Sequence, residues 1–250
     1  MIDTHAHLDA CADRPSALIR RARAAGVDRI VTVGTGIDSC RVAIELAERH
    51  EEVFAALGID PHQATDHEAS RIGELRELLD HERVVAVGET GLDYYRDGSA
   101  RDRQRKLFDA QLALAADVDK PIVIHTREAD RDTADALAGF AGTVVMHCFS
   151  SPGLITTVLE RGYYVSFAGN VTYPKAEALR AAAAEVPANR ILAETDTPYL
   201  APQPVRGRPN EPMHVRHTLA ALAALRSESE DELERRIEAN AAVVFGLDAA

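Results

Sequence analysis

Residues 2–9 read IDTHAHLD, and the turn that ends this segment separates two folds. Ile2–His7 reads as a short first strand. An open, doubly wound sheet carries a glycine-rich phosphate fingerprint after that strand. Here the turn is THAHLD and holds no glycine. Working outward, seven more brief runs rich in Val and Ile follow. They are Arg29–Gly34, Val53–Gly58, Val84–Glu89, Pro121–His125, Thr143–His147, Tyr163–Phe167 and Ile191–Asp196. Amphipathic segments alternate with them: Ser16–Ala25, Ser39–His50, Ser70–His81, Arg101–Asp117, Asp130–Ala138, Pro152–Arg161, Lys175–Glu185 and Met213–Arg226. Gly26 and Gly162 stand where helices should stop. Strict strand–helix alternation implies a parallel sheet. Eight such units in 250 residues match a closed (β/α)8 TIM barrel of the α/β class, whose usual length is about 250 residues. With no linker, low-complexity tract or break in composition, residues 1–250 are expected to form one domain. Glu228–Asp248 reads as a final helix packed on the barrel, and its acidic run Glu228, Glu230, Asp231 and Glu232 as a solvated helix start.

A chain of this size buries a sizeable core without staples. Tryptophan is absent and aromatics are 5%, so that core must be mostly Ala, Val, Leu and Ile. Three cysteines (Cys11, Cys40, Cys148) at no metal-like spacing argue against a disulfide framework and fit a reducing compartment. MIDTHAHLDA has neither a basic n-region nor a long apolar run. No apolar stretch nears the roughly 18–20 residues of a membrane span. The expectation is a soluble, cytoplasmic protein without membrane contact and without an obligate protein partner. The net charge is −12, from 40 acidic and 28 basic residues, 25 of the latter Arg. Proteins that grip DNA through its phosphates present a basic face. A global one is excluded here, so a nucleic acid would have to be held locally.

The chemistry gathers at the strand ends. His5 and His7 lie two apart on one strand, so both rings project from the same face. Four later strands end in Glu89 (VVAVGETGLD), His125 (PIVIHTRE), His147 (TVVMHCF) and Asp196 (ILAETDTPYL). A barrel brings all strand C-termini to one rim, where active sites of this fold lie. Six such groups buried after apolar runs are costly unless paired or metal-bound. Four histidines and two carboxylates exceed the three protein ligands a catalytic zinc ordinarily takes. The count suits two divalent ions about 3.5–4 Å apart with one carboxylate bridging, which is a hydrolytic arrangement. The metal is not specified by this donor set: zinc, magnesium, manganese or a similar ion fits.

Seven segments in order, IDTHAHLD, GIDPH, VGETGLDYY, PIVIHTRE, HCFS, ETDTPYL and RGRPNEP, resemble the TatD-related family of the amidohydrolase superfamily along essentially the whole chain. The resemblance implies a metal-dependent hydrolase, with deoxyribonuclease activity described for several members. It implies that His5, His7 and Asp196 hold one ion, that His125 and His147 hold the other, and that Glu89 bridges them. Asp196 would also accept the proton of the attacking water, and DNA would be the substrate. Asp60 departs from the family pattern, where the third position of GIDPH is often histidine; this puts contacts near the third strand in question.

Further residues have two readings each. His62 contacts substrate or supports the ligands, or is a structural loop histidine. Arg127, two beyond His125, meets a phosphate bidentately, or forms a surface ion pair. Arg206, Arg208 and Asn210 line a phosphate-binding loop after the eighth strand, or belong to a rigid lid with Glu211. Glu194 is expected to orient a ligand by hydrogen bonding, and Cys148 to face away from the site into the core. Two rival functions are hydrolysis of a small amide, ester or lactone at the same site, and metal binding without catalysis.

Overall fold

The computed structural model describes residues 1–96 and 100–248. Eight strands pair in parallel in the order β1 to β8: β1 Ile2–Ala6, β2 Arg29–Gly34, β3 Val53–Leu57, β4 Val84–Asp93, β5 Ile122–Arg127, β6 Val144–Met146, β7 Tyr164–Phe167 and β8 Ile191–Ala193. The ring closes just beyond β8. Asp196 N donates to His5 O at 3.0 Å and His7 N to Thr197 O at 2.8 Å, and Ala6 bridges Thr197 in parallel. The barrel expected from the alternation is thus the one observed.

The helices are α1 Pro15–Ala24, α2 Ile37–Arg49, α3 Asp66–Ser70, α4 Ile72–Leu78, α5 Arg101–Asp117, α6 Asp130–Ala136, α7 Ile155–Glu160, α8 Glu177–Glu185, α9 Val215–Arg226 and α10 Glu230–Phe245. Their buried faces and the strands form one aliphatic core, with Phe108, Phe149 and Phe167 fully enclosed. Each such side chain contributes roughly 1.5–3 kcal/mol on leaving water. The segment Ser70–His81 is not one helix. Thr65 caps an earlier start by accepting from Glu68 N at 3.2 Å, and the run breaks at Arg71. Helix α10 begins at the Ser229 cap with Glu230, Asp231 and Glu232 in its first turn, where acidic groups favour the helix dipole. It is tied to β8 by Asn240 Nδ2, which donates to Ile191 O at 2.8 Å. Among the described residues no helix is long and apolar enough to cross a membrane.

Strand β4 runs four residues past its expected end at Glu89. Gly88 (φ +137°) and Gly91 (φ +141°) make this possible. Both angles disfavour any other residue. A Cβ on Gly88 would stand 2.6 Å from Val123 O, and one on Gly91 would collide with His125 O. The extension carries Asp93 onto the same rim as Glu89.

Candidate metal centre

His5, on β1, and His7, just past it, turn Nε2 atoms toward each other at 3.3 Å. Glu89 Oε2 lies 3.4 Å from the first and 3.5 Å from the second. Asp196 Oδ1 is 3.4 Å from His7 Nε2. The other oxygen of Glu89 looks the opposite way: Oε1 is 2.8 Å from His125 Nδ1 and 3.1 Å from His147 Nε2. One buried carboxylate therefore straddles two pairs of imidazoles. The His5 and His147 rings stack with centroids 3.9 Å apart. All six expected ligands converge on one spot.

Outer contacts fix these rings. His147 Nδ1 donates to Glu194 Oε1 at 3.1 Å, as does Cys148 N at 2.8 Å, which leaves His147 Nε2 for the centre. His125 Nε2 faces Asp93 Oδ2 at 3.1 Å, which leaves Nδ1 toward Glu89. Such carboxylate–histidine pairs set tautomer and basicity at metal sites. Asp196 has φ +55°, a region Asp enters more readily than most side chains. Its amide and carbonyl are held by His5 O and Tyr199 N.

The charge state follows from this geometry. Burial works against ionised Glu89, yet the imidazoles of His147, His125 and His5 hold its carboxyl well below the usual range. Burial likewise opposes charge on His147, and the carboxylates of Glu89 and Glu194 outweigh it. His125 is held at about 9 by Asp93 and Glu89 against its burial. His5 goes the other way: burial and the neighbouring His147 lower it, leaving a neutral ring. Among the described residues every ion pair of Glu89, Asp93 and Asp196 runs to a histidine. Buried carboxylates whose ion pairs run only to imidazoles, imidazole nitrogens turned on one another, and a buried His5 Nδ1 without a partner, all among the described residues, fit a centre made for cations. Among the described residues three donor groups have ligand spacing: His5, Glu89 and His147; His5, His7 and Asp196; and His62, Asp93 and His125.

The third group contains a residue the sequence analysis missed. Asp93 is 1% exposed and joins His62 Nε2 (3.0 Å) to His125 Nε2. Its backbone is clamped by Gln104, which accepts from Asp93 N at 2.9 Å and donates to Asp93 O at 3.0 Å. Gln111 grips Ile59 in the same way, beside Asp60. The signal was two glutamines seven apart on the buried face of α5. Asp60 holds His62: Oδ1 accepts from Gln63 N at 2.9 Å and Oδ2 faces His62 Nδ1 at 3.3 Å. His62 is thereby held by Asp60 through Nδ1 and joined through Nε2 and Asp93 to the expected ligand His125.

A cavity of about 720 Å³ opens above the centre, with Asp60, His62, Arg96, Arg127, Cys148 and Tyr199 among its walls. Arg127 reaches it, and its guanidinium lies 3.7 Å from the Tyr95 ring centroid, with no ion pair among the described residues. Cys148 corrects the expectation that it faces the core: with φ +43° it turns into the cavity wall. Arg206 and Asn210 are not among the residues that line it. Arg206 is exposed and stacks on Tyr173 at 4.0 Å, and Arg208 is exposed as well. Asn210 is buried and braces the β8 loop, donating to Thr195 O and Tyr199 O at 3.0 and 2.5 Å. The phosphate-loop reading of RGRPNEP gains no support from these placements, because every Asn210 contact is to the loop itself.

A closed parallel barrel with this rim of histidines and carboxylates defines a metal-dependent hydrolase. The chain belongs to the TatD-related DNase family, whose family model, described as "TatD related DNase", matches residues 2–246. It is 40% identical over 259 residues to an uncharacterized metal-dependent hydrolase TatD of Mycobacterium tuberculosis, covering 99% of this chain and 98% of that one. A protein of Pantoea ananatis named 3′-5′ ssDNA/RNA exonuclease TatD is 38% identical, covering 92% of each. Among solved structures, the TatD homologue YJJV of Escherichia coli superposes with a TM-score of 0.92 at 32% identity, covering 99% and 98%.

Proposed function

We propose that this chain is a nuclease that hydrolyses phosphodiester bonds in single-stranded DNA, using two divalent ions. The observation that carries the reading is Glu89, whose two oxygens serve two separate imidazole pairs, below a cavity wall that offers two arginines with no carboxylate partner among the described residues, Arg96 and Arg127. A relative bears the name of a single-strand exonuclease. His5, His7 and Asp196 would hold one ion and His125 and His147 the other, with Glu89 between. Bound there, the ions would acidify a water and neutralise charge on a phosphoryl group. Asp196, kept ionised despite its burial by the imidazole of His7, takes the proton of the attacking water at its carboxylate. Arg127, flattened against Tyr95, presents its fork to a phosphate. Glu194 and Asp93 keep His147 and His125 aimed, and His62 with Asp60 steadies Asp93.

Carboxylates outnumber arginines on the cavity wall, with Asp9, Asp60, Glu89, Asp93 and Asp196 against Arg96 and Arg127. That balance favours a second reading, hydrolysis of a small neutral ester, amide or lactone. The test is cleavage of single-stranded DNA by metal-stripped protein on return of Mg²⁺, Mn²⁺ or Zn²⁺, over a range of salt. Cleavage whose KM rises steeply with salt is expected. Activity on a neutral ester alone, indifferent to salt, selects the second reading.

A further inference from the structure

Two tyrosines stand exposed at this rim, Tyr95 at 57% and Tyr199 at 53%. Arg127 covers one face of Tyr95. Tyr199 carries no cation among the described residues; it lines the cavity, and its ring meets the His7 ring edge-on with centroids 5.8 Å apart. The exposure is not that of a loose loop. Tyr199 N donates to Asp196 O at 2.9 Å, and Tyr199 O accepts from Asn210 Nδ2. Asn210 Oδ1 is held in turn by Glu211 N at 3.1 Å and lies 3.0 Å from His214 Nδ1. A buried amide with every contact on this loop thus fixes an aromatic ring in the open, three residues from Asp196 and beside His7.

Arg96 and Arg127 come from the ends of β4 and β5, and Tyr199 with Leu200 from the segment after β8. A nucleic-acid strand lying in this cavity would meet the arginines with its phosphate oxygens and the ring with a base. Aromatic rings accept any base by its π face, provided that face is free. In a duplex both faces are taken by the stack.

We infer that Tyr199 is a stacking platform for an unpaired nucleobase of the cleaved strand, and that it makes the site prefer single strands over duplex. This rests on the nuclease reading above. The test compares wild type, Tyr199→Ala and Tyr199→Phe, each loaded with the activating ion. It reads kcat and KM on a single-stranded oligonucleotide, and inhibition by the blunt duplex of the same sequence. Tyr199→Ala should raise KM about tenfold, the scale of one lost base stack, with kcat largely kept and duplex inhibition little changed. Tyr199→Phe keeps the ring and should restore KM. Unchanged KM in Tyr199→Ala overturns the platform while leaving the nuclease reading intact. So does an equal weakening toward strand and duplex, or failure of Phe to rescue. No cleavage by wild type overturns both.

Discussion

At the N-terminal end of the barrel, Lys120 Nζ donates to Val84 O at 2.7 Å, and Arg83 Nη2 donates to Glu51 O and Val53 O at 2.7 and 2.5 Å. At the opposite end, among the described residues, Glu89 faces four imidazoles and neither a lysine nor an arginine. Both ends withdraw charge from water, which is costly unless it is answered. At the base most of the answer comes from the chain's own carbonyls at the strand starts, with Arg83 also over Phe54 at 4.2 Å and only its Nε, of the buried Arg83 donors, left without a partner among the described residues. At the rim the His5 and His7 Nε2 atoms point at one another, and His5 Nδ1 has no partner among the described residues. One end is met chiefly by backbone carbonyls, the other is arranged for a cation. This is the division of labour that barrels show between their stability face and their active face.

The comparison can be broken most severely at Glu89. Glu89→Ala should cut DNA hydrolysis by more than about 100-fold, beyond what loss of an outer partner costs at metal sites. Its thermal midpoint should stay near that of wild type, because the site supplies function and not fold; a collapse of the midpoint would merge the two ends into one structural role. Next come Glu194→Gln and Asp93→Asn. Each leaves a ligand ring without its anionic partner and should lower metal affinity or activity by about 10–100-fold, measured by metal titration. Arg127→Met should raise KM for single-stranded DNA several-fold and flatten its salt dependence by about one phosphate contact, with kcat nearly kept. The smallest effect on activity belongs to the base: Arg83→Met should leave kcat/KM unchanged while urea unfolding shows a loss of about 1–3 kcal/mol for hydrogen bonds from a charged donor.

Where pattern alone carries information, the sequence was legible. β2 and α5 appear with the bounds that periodicity assigns, and the six proposed ligands converge as strand ends in a barrel must. What escaped was set by backbone that departs from the regular period. β4 continues through Gly88 and Gly91 on positive φ, so Asp93 lay beyond the apparent end of its strand. The parity rule that placed Cys148 in the core fails because β6 stops at Met146 and the chain then turns left-handed. Arg206 and Asn210 looked like phosphate contacts by their position after β8. Their partners, Tyr173 and the Thr195–Tyr199 loop, are tertiary and leave no mark in local sequence. His62 and Asp60 make the same point: their shared tie to Asp93 becomes visible only once two loops meet.

Among the described residues the rim sets its buried carboxylates against histidines with neither lysine nor arginine beside them, and Glu89 serves both halves. Elemental analysis of protein saturated with Mn²⁺ and freed of excess ion tests this arrangement most directly, for wild type and for Glu89→Ala. The account predicts two ions per chain in wild type and at most one in the variant. A wild type that retains one ion or none, or a variant that retains two, would contradict it.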